Sequence, residues 1–174
     1  MIFIYGNKVV NILWKEEAVL SVTESKEITE HYLKYFNYLW EQDVLVSHGM
    51  KALMQAHEKT YQKLKRGEEY VYFGVPKYQP EEQHRYWIKD HQRRAKAGIK
   101  CRILVNKDTD KEVLISRNSF PGCDTRYMPT DIKTPSYINI YKDTVMMAIP
   151  KKNPVVIEIN NQEIADSFKA YFEE

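Results

Sequence analysis

The sequence predicts an α/β fold, a mixed β-sheet flanked by helices, joined to a partial duplicate of its own C-terminal strand-strand-strand-helix unit. The first observation behind this is a near-repeat. Laid at a constant offset of 136 without a gap, Ile2–Phe36 falls on Ile138–Phe172, and ten positions are identical: Ile2, Ile4, Tyr5, Val9, Lys15, Val19, Glu27, Ile28, Tyr35 and Phe36. Apolar positions at the other aligned sites mostly match, which marks a duplicated structural unit. The second observation is the stretch between the copies, where helix-period and strand-like segments alternate as they do when helices cover the faces of a sheet. Residues 47–174 therefore read as one complete domain and residues 1–46 as a copy of its C-terminal end.

Ile2–Tyr5, the turn pair Gly6-Asn7 and Val9–Trp14 read as a hairpin, because a turn that tolerates positive φ separates two short apolar runs. A third strand is expected at Ala18–Thr23. From Ser25 the period changes: Ile28, Tyr32, Tyr35, Phe36 and Leu39 recur at three and four, and Ser25 with Glu27 and Glu30 supplies a cap and acidic residues to a helix start. Asp43–Gly49 is a connector with one extended piece, Val44–Val46. Met50–Arg66 places Leu53, Met54, His57, Tyr61 and Leu64 on one face and is expected to stop at Gly67, a C′ position. Glu69–Val75 reads as a buried strand. Pro80–Ala97 opens with Pro and two Glu and closes with Arg93, Arg94 and Lys96 before Gly98, as a helix macrodipole favours. Ile99–Asn106 is a further strand, Asp108–Asp124 a polar, turn-rich loop, Thr125–Met128 a short extended piece, and Tyr137 begins the second copy.

Composition narrows the function classes. A formal net charge of +2 over 174 residues is too mild to argue for nucleic acid or an anionic membrane surface. Two cysteines, Cys101 in an apolar run and Cys123 in a Pro-Gly turn, do not make a disulfide framework, and neither has a neighbour at metal-ligand spacing. The start of the sequence lacks the basic region of a signal peptide, and no apolar run approaches the roughly 18 residues of a membrane span. The expectation is a cytoplasmic protein with no membrane partner, cofactor or metal.

Four segments taken together carry a family resemblance: Gly67–Pro76, His91–Asn106, Thr125–Pro129 and Thr134–Phe172. In order and spacing they resemble the effector part of archaeal TrmB-type transcription regulators, which has a phospholipase D-like fold. The resemblance covers essentially all of residues 47–174, and residues 1–46 resemble only its C-terminal end. It implies a sensor for a small molecule, sugars in the better known members, joined in that family to a DNA-binding winged helix-turn-helix. This sequence begins directly on a strand, so the expectation is a stand-alone or shortened form without sequence-specific DNA binding of its own.

The phospholipase D superfamily carries His-x-Lys, four residues, Asp, then six residues and Gly-Ser-x-Asn, so that His attacks phosphorus while Lys and Asn hold charged oxygens. Anchored on Asp143-Thr144-Val145, those positions hold Pro135 for His, Tyr137 for Lys, Lys142 for Asp, Ile149-Pro150 for Gly-Ser and Lys152 for Asn. In the first copy the Asp position is Gly6, and Leu13, Trp14, Lys15 and Glu16 occupy the Gly-Ser-x-Asn positions. Proline is no nucleophile, so the expectation is a protein that is not an enzyme of this mechanism. His57-x-Lys59 is the one remaining His-x-Lys pair, but Leu64 stands at its Asp position and His57 reads as a core-edge residue. His84 and His91 share a helix face with no Cys or third ligand near in sequence, and packing or surface roles are the expectation.

For a ligand, the resemblance favours His91 and Arg94 as polar groups at a pocket mouth, with Tyr72 and Tyr137 beside them. Tyr70, Tyr72, Tyr86 and Trp87 read as core or core-edge residues, though aromatics beside a few polar groups also describe a sugar site. The basic residues Arg85, Arg93, Arg94, Lys96, Lys100 and Arg102 equally suit a solvated helix end and an alternating strand. Two further expectations concern partners. The apolar residues Ile4, Ile12, Leu13, Val19, Ile28, Tyr32 and Phe36 of the short duplicate require a covering surface, supplied within the chain or by a second copy in a homodimer, which is the favoured arrangement. The rival to ligand sensing is an interaction or oligomerisation module without any small ligand.

Overall fold

The computed structural model describes residues 1–14, 17–40, 43–77, 80–131 and 133–174, without the side chains of residues 39, 40 and 82. Lys15, Glu16 and the Leu39 side chain, singled out above, lie outside this description. The chain divides into two compact units, Met1–Gln42 and Asp43–Glu174.

In the first unit, β1 (Ile2–Tyr5), β2 (Lys8–Leu13) and β3 (Val19–Glu24) form an antiparallel sheet followed by α1 (Lys26–Trp40). The β1–β2 turn passes through Gly6 at φ 54°, a left-handed conformation that glycine adopts without strain. Ser25 caps α1: its Oγ accepts from the Ile28 backbone N–H at 3.3 Å. The helix packs on all three strands, and period-2 alternation turns Ile4, Val9 and Thr23 toward it, with Val9 fully buried.

The second unit holds β4 (Val44–His48), α2 (Met50–Lys63), β5 (Glu69–Val75), α3 (Glu81–Ala97), β6 (Lys100–Val105), α4 (Lys111–Asn118), β7 (Cys123–Tyr127), β8 (Tyr137–Tyr141), β9 (Thr144–Ile149), β10 (Val155–Asn160) and α5 (Gln162–Glu173). Its strands form one sheet in the order β4-β10-β9-β8-β5-β6-β7. β5, β6 and β7 run parallel, as crossovers through helices require, while β8, β9, β10 and β4 pair antiparallel. Leu53 and Ala56 of α2 and Trp87 of α3 pack with Tyr137, Met146, Ala148 and Val156 on one face. Ala165 and Phe172 of α5 pack with Val71, Ile140 and Val145 on the other. The sheet is thus sandwiched, with helices on both faces.

Several boundaries differ from expectation. Val44–Val46 belongs to a sheet strand, and its pairing with Ile157–Ile159 moves the division between units ahead of the expected 46/47. α2 stops at Lys63 because Leu64 is already extended (φ −98°, ψ 139°), so Gly67 serves the turn into β5 instead of the helix end. Gly98 does end α3 in the left-handed conformation, its N–H donating to Ala95 and Arg94 carbonyls. Within the expected loop 108–124 lies α4, and β7 begins two residues before the expected extended piece. Asn118 at the end of α4 clips edge strand β7, donating to the Thr125 carbonyl and accepting from the Thr125 N–H at 2.6 Å.

The last three strands and α5 repeat the first unit's pairing position by position at the offset of 136. Ile4↔Val9 corresponds to Ile140↔Val145, and Val10↔Val22 to Met146↔Glu158. Asn161 stands where Ser25 does, its side chain accepting from the Ile164 N–H at 3.1 Å. Lys142 stands where Gly6 does and keeps the positive φ, at 50°.

Candidate functional site

A cavity of about 250 Å³ lies between α2, α3, α4 and the β5–β6 face of the sheet. Because β5 alternates, Tyr70 and Tyr72 share the face that meets α3, and their rings stack at 5.9 Å. A bulge at Gly74 ends the regular part of β5. A Cβ there would meet Thr134 Oγ1 at 2.7 Å and the Ser136 carbonyl at 2.9 Å, so this close approach requires glycine. Tyr137 opens β8 on the same face, and Trp87 of α3 meets its ring edge-on at 6.1 Å.

His57 of α2 lies between these aromatics, 4.4 Å from Trp87 ring to ring, with Nε2 3.0 Å from the Tyr137 hydroxyl. Burial drives its pKa down to about 3, so the imidazole is neutral at physiological pH. Burial, with help from Arg117 and Arg94, drives His91 down to about 2. Its Nε2 lies 3.4 Å from the Tyr72 hydroxyl and Phe120 stacks on its ring at 5.7 Å. Asp90, one residue earlier, has its pKa raised by burial against a partly offsetting hydrogen bond from Tyr61 at 2.7 Å. Trp87 Nε1, His91 Nδ1 and Arg117 Nη1 are buried at or beside the cavity without a hydrogen-bond partner among the described residues.

The structure brings Tyr72, His91 and Tyr137 onto one cavity, with Tyr70, Trp87 and the exposed His84 at its rim or wall. Arg94 is not at a mouth. It is completely buried and donates from Nη1 to the Ile99 carbonyl at 2.5 Å, because the chain turns back at Gly98 directly over its side chain. Of the described positions aligned with the phosphodiesterase motif, only Tyr137 lines the cavity. Pro135 and Lys152 are exposed, and Lys142 reaches out from its turn to an ion pair with Glu68. Lys59 is not available to His57, since it binds both oxygens of the buried Glu158 at 2.8 and 2.9 Å. The remaining basic residues are largely neutralised: Arg93 forks onto Glu58 and lies over the Tyr61 ring, Arg102 bridges Glu69 and Glu173, and Arg85 pairs with Glu81.

Residues that the sequence reading passed over also build the site. Asp90, Val113 and Arg117 line the cavity, the last two carried by α4. Behind the cavity, parallel pairing of β6 with β7 puts Cys101 opposite Cys123, and Cys101 Sγ–H donates to Cys123 Sγ at 3.3 Å. That hydrogen bond makes Cys123 the more acidic thiol and holds the Cys101 pKa up. His91 joins this pair. A ring nitrogen and the two sulfurs all lie within 4.8 Å of one another.

No protein-family model matches the sequence, and no curated protein matches it. Several solved structures share the fold, among them these two. TrmBL2, an archaeal chromatin protein with a novel mode of DNA binding, superposes with a TM-score of 0.52 at 17% identity over 85% of this chain. The polyphosphate kinase of Porphyromonas gingivalis superposes with a TM-score of 0.53 at 11% identity over 95% of this chain. The chain spans 58% of the first protein and 31% of the second.

Proposed function

We propose that this chain is a non-catalytic, TrmB-like regulatory domain of phospholipase D-like fold that binds a small, sugar-like metabolite in the cavity beneath α3. The observation that carries the reading is the cavity's chemistry: the rings of Tyr72, Trp87 and Tyr137 around a few polar groups, His91, Asp90 and Arg117, the pattern of an orienting carbohydrate or polyol site. The likeness to TrmBL2 supports a regulatory context. The motif positions support the absence of phosphodiesterase activity, since Pro135, Lys142 and Lys152 neither supply the nucleophile nor converge on the cavity.

The test is a thermal-shift panel of sugars, polyols and small metabolites on the full chain. A ligand present at a hundred times its dissociation constant stabilises by about 2.7 kcal/mol. Tyr72→Ala is expected to abolish the shift. A panel without any shift, or a shift that survives Tyr72→Ala, overturns the reading. Turnover of bis-p-nitrophenyl phosphate that disappears on changing Tyr137 would show an enzyme instead.

A second reading, an oligomerisation module, is favoured by one separate observation. On the sheet face away from α1, Phe3, Tyr5, Leu20 and Val22 are 50–60% exposed, an apolar surface of the kind that marks an interface. Its partner on this reading is a second copy of the chain. Light scattering at tens of micromolar is expected to give a dimer, and a strict monomer rejects it.

A further inference from the structure

We propose that His91, Cys101 and Cys123 bind a zinc ion, a site that shares His91 with the wall of the ligand cavity and is assembled from three elements far apart in sequence. Cys101 and Cys123 are fixed opposite each other by the β6–β7 register, and α3 carries His91 over them. In a tetrahedral site with Zn–S near 2.3 Å and Zn–N near 2.0–2.1 Å, the edges between ligand atoms are about 3.5–3.8 Å. Here the two sulfurs are 3.3 Å apart and no edge of the triangle exceeds 4.8 Å. Displacements of about 1 Å or less bring all three atoms to bonding distance, within the reach of small rotamer changes.

The second observation concerns His91. It is 2% exposed, and its Nδ1 has no hydrogen-bond partner among the described residues, whereas buried ring nitrogens are ordinarily satisfied. The other nitrogen faces the Tyr72 hydroxyl, the kind of outer partner that fixes the tautomer and plane of a metal-bound imidazole. Phe120 stacked on the ring restrains it further.

Charge gives a third argument. Arg94 and Arg117 are buried, both act on the Cys123 sulfur, and neither forms an ion pair among the described residues, the Asp90 carboxylate acting on Arg94 from a distance. Among the described residues, Nε and Nη2 of Arg94 and Nη1 of Arg117 have no acceptor. Buried cations ordinarily face anions. Two thiolates with one Zn²⁺ and a neutral imidazole add no net charge to this interior, while the metal-bound sulfurs offer those guanidinium groups acceptors. Three protein ligands leave a fourth position for water or an exogenous donor.

The chain has only two cysteines, which makes the experiment decisive without a variant. Full-length protein, reduced and stripped with a chelator, is titrated with Co²⁺. The expected result is one equivalent bound, with a sulfur-to-cobalt charge-transfer band in the near ultraviolet and visible bands of tetrahedral intensity, both bleached by Zn²⁺. Competition with a chromophoric chelator then gives zinc affinity, which is expected to fall about 10- to 100-fold in Tyr72→Phe and further in His91→Gln. Failure of His91→Gln to fold leaves the wild-type spectrum as the test. Binding of Co²⁺ without a sulfur band, no stoichiometric binding, thiols equally reactive with and without Zn²⁺, or a Cys101–Cys123 disulfide re-forming in freshly reduced protein despite excess Zn²⁺ overturns the proposal. Sugars give no cobalt spectrum, so the outcome is independent of the cavity's ligand.

Discussion

The segment β1–β2–β3–α1 and the segment β8–β9–β10–α5 share turn, pairing register and helix cap, yet the sheet face away from each helix meets different surroundings. Phe3, Tyr5, Leu20 and Val22 are 50–60% exposed, while their counterparts Asn139, Tyr141, Val156 and Glu158 are at most 2% exposed. The difference lies outside the shared segment. In the second unit α2 and α3 cover that face and β5 and β4 pair with its two edges, whereas the described residues of 1–42 hold no equivalent of these elements. Local sequence is enough to set a hairpin and a cap, and burial is set by what is laid against them.

The largest effect expected to sharpen this contrast is acid sensitivity confined to the second unit. His57 and His91 are held neutral by burial, with pKa values near 3 and 2 in place of the ordinary 6.5. Because the folded values are depressed, the unfolded chain takes up protons below pH 6.5 that the folded chain cannot. Stability is therefore full above pH 6.5 and falls as pH drops, by about 3 kcal/mol for the pair at pH 5.5. His31, in the first unit, is exposed. Hydrogen exchange at pH 7.5 and 5.5, corrected for intrinsic rates, is expected to show β9 amides losing protection while β2 amides keep theirs, and His57→Gln to halve the loss. Equal loss in both units breaks the comparison.

A smaller contrast comes from paired truncations. Val156→Ala removes two methyl groups from a filled core and is expected to cost about 2 kcal/mol in urea unfolding. Leu20→Ala, at the equivalent exposed position, is expected to cost less than about 0.5 kcal/mol. A loss at Leu20 that matches Val156 and grows with protein concentration means that a second copy covers the face.

The smallest effect tests the likeness itself. Ser25→Ala and Asn161→Ala remove equivalent caps and are each expected to cost about 1 kcal/mol. A cap that matters in one unit and not in the other separates the two segments at the level of local structure.

What was legible in the sequence follows the same division. The two hairpins and capped helices follow from residues close along the chain, and their positions are found where the pattern places them. α4 was hidden because it is only eight residues long, carries β-branched Val113 and Ile115, and turns no fully buried apolar side chain inward. Tyr72, His91 and Tyr137 line one cavity, but the depth of Arg94 depends on the turn at Gly98 and the facing of Cys101 and Cys123 on a parallel register. Neither leaves a trace in residue spacing.

The pairing of β4 with β10 also bears on synthesis. His48 meets Val155 and Val44 meets Ile159, separations of 107 and 115 residues. At roughly 5–20 residues per second, β4 emerges from the ribosome between about five and twenty seconds before β10, its strand partner among the described residues, exists. Until then Val44, Leu45 and Val46 form an apolar strand without its pairing edge, open to non-native strand pairing.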